Sequence, residues 1–144
     1  MPDIPAPLAT LLAALVSGFL LLYVHRKSAR RTAAAKCRAA ILEAVTGLYP
    51  VPSDWPGNVD SHLRQVFPAL QRAVAEFRPY VPWHARRSYD QAWFVYRLGR
   101  DGREIDKQLY HQYMGFTSPG EPVIDPKEAF RANVKDLLAF AGET

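Results

Sequence analysis

From Ala6 to Val24 the chain runs through nineteen residues without a single charge: Ala-Pro-Leu-Ala-Thr-Leu-Leu-Ala-Ala-Leu-Val-Ser-Gly-Phe-Leu-Leu-Leu-Tyr-Val. A helix rises about 1.5 Å per residue, so this segment spans roughly 28 Å. The hydrocarbon core of a bilayer is about 30 Å thick. No water is available there to satisfy backbone N–H and C=O groups, so the segment must be helical. Pro5 and Pro7 fall at its start, where a helix tolerates proline. Ser17 and Thr10 can bond back to their own helix.

Three other readings fit less well. A secretory signal needs a basic stretch before its apolar core. Here Met-Pro-Asp-Ile-Pro carries one acid and no base. A helix lying in the membrane interface needs a polar face, which this segment lacks. A buried core helix needs a domain large enough to surround it, and 144 residues leave little to do so.

Lys and Arg fix the expected direction. None precedes the span, and Arg26, Lys27, Arg30, Arg31, Lys36 and Arg38 follow it closely with no acid among them. Cationic flanks stay in the cytoplasm. The expected layout is a short extracytoplasmic N-terminus at 1–5, a transmembrane helix at 6–24, a basic juxtamembrane helix at 25–38 and a small cytoplasmic domain at 39–144. The six bases can hold anionic lipid headgroups, at about 1 kcal/mol each near the surface.

These bases also account for the net charge of +4, since residues 39–144 carry twelve basic and thirteen acidic side chains. A nucleic-acid-binding domain would be expected to carry its positive charge on its own surface. A membrane-tethered nucleic-acid binder would have to work through bases that lie against lipid, so it ranks last. The single cysteine, Cys37, excludes an intramolecular disulfide and a cysteine-rich metal site.

The fold class read from the remainder is all-α, a bundle of about four helices with proline-rich connections. No Gly or Pro interrupts residues 19–46, so the transmembrane helix should continue as the first helix of the domain. Cys37, Ile41, Val45 and Leu48 fall on one of its faces, and Gly47 and Pro50 end it. In the loop that follows, Trp55 reads as a plug closing the far end of the domain or as an exposed contact.

Asp60 or Ser61 is placed to cap the second helix, whose stripe is Leu63, Val66, Phe67, Leu70, Val74 and Phe77. Pro68 inside that stripe predicts a kink or two short abutting helices. Pro79 ends this element and Pro82 can begin the third, with Ala85, Tyr89, Ala92, Trp93 and Tyr96 on one face. Asp90 is spaced to pair with Arg86 or Arg87. A competing reading makes Trp93–Leu98 a strand, turning at Asp101-Gly102 to pair with Glu104–Tyr110. A short helix is open within Lys107–Phe116. Asp125-Pro126 is a helix start signal, and Phe130, Val134, Leu137, Leu138 and Ala141 form the last apolar face.

Three stretches, Phe77-Arg78-Pro79-Tyr80-Val81, Ala92-Trp93-Phe94-Val95-Tyr96, and Phe130 with Leu137-Leu138-Ala139-Phe140-Ala141, resemble a pattern in small uncharacterised bacterial proteins with an N-terminal membrane helix. The resemblance covers about half the chain. It implies this architecture and a bacterial inner membrane, and no activity.

No Gly-rich phosphate loop is present, and His25, His62, His84 and His111 lack partners at metal-ligand spacing. No cofactor and no small-molecule substrate is indicated. The best polar constellation is Glu104, Asp106, Tyr110, His111 and Tyr113, with Arg87 and Asp90 nearby if the third helix packs on that loop. Two acids and a histidine can do general acid–base work, which makes a small membrane-bound enzyme around His111 the alternative function. The leading expectation is a non-catalytic interaction or accessory module that binds another protein at the inner membrane. Tyr, Trp and Arg dominate binding hot spots, so Trp55, Arg87, Tyr110, His111 and Tyr113 are the candidate partner contacts.

Overall fold

Helix α1 runs without a break from Ala6 to Ala44 in the computed structural model, which describes residues 6–102, 108–115, 120 and 124–142. Its residues fall into two compact units, Met1–Thr32 and Ala33–Thr144. In the first unit, the large apolar side chains from Leu8 to Val24 are 52–72% exposed. One helix near the N-terminus is therefore long and apolar enough to cross a membrane, with none of its apolar window buried by protein.

The second unit starts at Ala33, six residues before the expected boundary, because Ala33 and Ala34 already pack against its core. Cys37, Ile41, Val45 and Leu48 are all buried, so α1 supplies one wall of that core. Gly47 takes φ +82°, a left-handed conformation that ends the helix at little cost only for glycine.

Helix α2 spans Val59–Phe77. Its cap is Asn58, not Asp60 or Ser61: the Asn58 side chain accepts a hydrogen bond from the Ser61 N–H at 3.0 Å. Asp60 is occupied instead by Arg64, whose Nε lies 2.8 and 2.9 Å from its two oxygens. Pro68 sits inside one continuous helix, so the two-helix alternative does not hold. Proline in a helix interior costs about 3 kcal/mol. Burying each of Leu63, Leu70, Val74 and Phe77, which lie on both sides of it, contributes about 1.5–3 kcal/mol. Packing outweighs the lost hydrogen bond.

Two single 3-10 turns, Arg78–Tyr80 and Trp83–Ala85, connect α2 to helix α3, which spans Arg86–Leu98. Trp93–Leu98 is thus helical, and no strand occurs among the described residues. Gly99 closes α3 at φ 76° and ψ 178°, a region that is nearly glycine-only, and donates its N–H to the Val95 carbonyl. Asp90 pairs with neither Arg86 nor Arg87. It faces back across the connection to Arg78.

Helix α4 spans Pro126–Ala139 and starts as the dipeptide Asp125-Pro126 predicts, with the Asp125 carboxylate accepting from the Lys127 N–H at 3.0 Å. Phe130, Val134, Leu137, Leu138 and Ala141 are all buried.

Within this unit the helices alternate in direction. At the end where Ala33 enters, Tyr89 packs edge-on against Phe77 at 5.8 Å and Phe140 at 5.3 Å. Lys36 meets Glu76 there at 2.7 Å. At the far end, Phe130 packs against Trp55, Tyr96 and Tyr113 at 5.7, 6.0 and 5.1 Å. Aromatic pairs of this kind contribute about 0.5–1.5 kcal/mol beyond their buried area.

Candidate interaction surfaces

The far end holds the aromatic run around His111. A helix leaves its last carbonyls without intrahelical partners. Here residues 110–113 supply them for α3. The Tyr110 N–H donates to the Arg97 carbonyl at 2.7 Å, and the Gln112 side-chain amide donates to the Tyr96 and Val95 carbonyls at 2.9 and 3.3 Å. The Tyr113 hydroxyl donates to the Tyr96 carbonyl at 2.8 Å and accepts from Asn133 Nδ2 at 2.9 Å. A single 3-10 turn, His111–Tyr113, places these groups, and Tyr110 reaches it through a left-handed conformation at φ 61°.

This geometry changes the reading of the candidate residues. Tyr110 and Tyr113 are 0% and 1% exposed, so they belong to the core and offer a partner no surface. Burial raises both phenols above their ordinary range, which keeps them protonated as donors. The hydroxyls of Tyr96 and Tyr110 have no hydrogen-bond partner among the described residues. Trp55 is half-buried against Phe130, with Lys127 Nζ 5.9 Å from its ring centre, and so acts as the plug. His111 remains exposed, its Nδ1 2.6 Å from the Gln108 carbonyl. Arg87 is also exposed. Glu104 and Asp106 lie outside the described residues. Asp90 is held by Arg78, so it is not drawn into a site with His111.

Cys37 is 3% exposed, and burial pushes its thiol up to about 11. The Tyr89 hydroxyl lies beside it and donates to the Val74 carbonyl at 3.1 Å. Among the described residues no three His, Cys, Asp or Glu side chains converge as metal ligands do.

In the basic segment, Arg26, Lys27, Arg31 and Arg38 are exposed and Arg30 is partly so. Lys36 differs, because its ammonium is bound by Glu76 and holds that carboxyl below the usual range.

Among the described residues of the second unit, the least covered aromatic is one that spacing did not single out. Trp83 is 82% exposed, and Tyr80 is 42% exposed nearby. The α2–α3 connection carrying them is braced. Arg86 donates from Nε to the Val81 carbonyl and from its terminal nitrogen to the Pro79 carbonyl, both at 3.1 Å. Val81 is 2% exposed and pins the connection to the core, while Pro79 and Pro82 restrict its backbone. The sequence signal was available in the spacing: Trp83 lies three, four and seven residues before Arg86, Arg87 and Asp90, off the apolar stripe of α3.

No family model, no curated protein and no solved structure matches the chain.

Proposed function

We propose that the chain is a single-pass protein of the bacterial inner membrane, with its N-terminus outside and the unit Ala33–Thr144 in the cytoplasm. There it serves as a non-catalytic module that holds a partner protein near the bilayer. The observation that carries the membrane reading is the exposure of every large apolar side chain from Leu8 to Val24. Water-soluble monomers rarely leave so large an apolar surface uncovered. The charge asymmetry around the span supports the orientation.

The non-catalytic reading is supported by what the aromatic corner does. The Tyr110 N–H, the Gln112 amide group and the Tyr113 hydroxyl cap α3, and Cys37 is a buried thiol. Arg87 and His111 stay exposed, and arginine is among the residue types that dominate protein contacts.

Two experiments test this. The protein should float with vesicles and resist alkaline carbonate extraction, and a fluorescent protein fused after Thr144 should mature where an alkaline phosphatase fusion stays inactive. Release by carbonate, or an active phosphatase, would refute the anchor or its direction. Crosslinking in intact membranes should then recover a second protein. Recovery of this chain alone in every growth state would remove the partner reading.

A further inference from the structure

We infer that Trp83 seats in the headgroup layer of an anionic membrane, the same membrane that the N-terminal helix crosses, so that the folded unit touches the bilayer at a second point. This rests on the anchor reading above.

The first ground is position within the folded unit. The connection that carries Trp83 begins just after Glu76, which binds Lys36, and ends just before Tyr89, which meets Cys37. Trp83 therefore lies at the end of the bundle where Ala33 enters. Only residues 25–32 separate that entry from the apolar segment ending at Val24. Eight residues reach about 12 Å as a helix and at most about 29 Å fully extended. This end of the unit is held close to the bilayer by the chain itself.

The second ground is chemistry. Tryptophan combines a large apolar body with one N–H donor and is enriched at membrane–water interfaces for that reason. Trp55 and Trp93 have found protein cover, against Phe130 and between Phe67 and Tyr96. Trp83 contacts only the ring of His84 among the described aromatics.

The third ground is charge. The acids beside the connection, Glu76 and Asp90, are neutralised by Lys36 and Arg78. Arg86 and Arg87 leave this face with a positive balance among the described residues, complementary to anionic lipid. The fourth is rigidity. Arg86, Val81 and the two prolines hold the connection in place, so seating Trp83 orders little that is not already ordered.

The test uses the full-length protein reconstituted into phosphatidylcholine–phosphatidylglycerol vesicles, with the phosphatidylcholine brominated on its acyl chains. The three tryptophans are Trp55, Trp83 and Trp93, and none lies in the apolar segment. Bromolipid should quench the emission of the wild type, and Trp83→Phe should lower the quenching constant about threefold or more. Leaving out phosphatidylglycerol should weaken the quenching. Trp83 packs against so little that the phenylalanine variant keeps its fold, which circular dichroism verifies.

Floating protein whose emission is not quenched, or is quenched equally in Trp83→Phe, overturns the inference while the anchor stands, and leaves Trp83 to a protein partner. Quenching indifferent to phosphatidylglycerol overturns the anionic preference. Protein that fails to float overturns both.

Discussion

Arg78 grips Asp90 with two parallel hydrogen bonds, Nε to one carboxylate oxygen and a terminal nitrogen to the other, each 2.7 Å long and spanning the turn between α2 and α3. The fork-to-fork geometry fixes the angle at which α3 leaves the connection. Both groups are about half exposed, so solvent screens the attraction and the gain is modest.

The pH dependence of stability should report this pair. The Arg78 guanidinium holds the Asp90 carboxyl below the usual range, chiefly by its hydrogen bonds. A carboxyl depressed in the folded state contributes stability that is present above its unfolded pKa, about 3.9, and lost as pH falls through the folded value. Arg78→Gln should therefore lower the denaturation midpoint near neutral pH. The difference from wild type should shrink toward zero in strong acid, which chemical denaturation across pH measures.

Thiol labelling tests the burial of Cys37. With its thiol pushed up to about 11 from 9.0, the thiolate fraction at mildly alkaline pH falls on the order of a hundredfold. Iodoacetamide should modify the native protein at least that much more slowly than the protein unfolded in denaturant. Equal rates would mean that α1 does not seal this wall of the core.

Gly99→Ala separates backbone strain from crowding. A Cβ there meets nothing closer than His111 Cε1 at 3.7 Å, so space is sufficient. The backbone region is the obstacle, and holding alanine in it should cost about 1–3 kcal/mol. Urea unfolding of the pair gives the number directly.

The tyrosine hydroxyls should differ sharply in worth. Tyr113→Phe strands the Asn133 amide and removes a donor from the Tyr96 carbonyl, and should cost about 1–2 kcal/mol. Tyr96→Phe deletes a buried hydroxyl with no described partner, and should be neutral or stabilising. Unfolding midpoints of the two variants should rank in that order.

What was legible in the sequence was periodic or local. The Cys37-Ile41-Val45-Leu48 face and the Asp125-Pro126 start depend on neighbours within a turn or two, and both stand as read. Asp90 pairs beyond the reach of the rule for helix pairs, which extends three or four residues, whereas Arg78 lies twelve away beyond a 3-10 turn. Asn58 rather than Asp60 or Ser61 caps α2 because a cap is set by where the backbone departs from the helix, not by residue type alone. Tyr110 and Tyr113 looked like surface contacts because a polar aromatic run has no helical period. Only the open carbonyls at the end of α3 explain why that run turns inward.

The alternation of direction has a practical consequence for anyone attaching something to this protein. Four helical segments, alternately outbound and returning, bring Ala141 back beside the Ala33 entrance, where Phe140 touches Tyr89. A bulky tag joined beyond Ala141 still reports the compartment, as the topology test needs, but in the lipid-quenching measurement it would crowd that entrance and compete with Trp83. The loop around Gly57, exposed at the opposite pole, is the quieter place for a label.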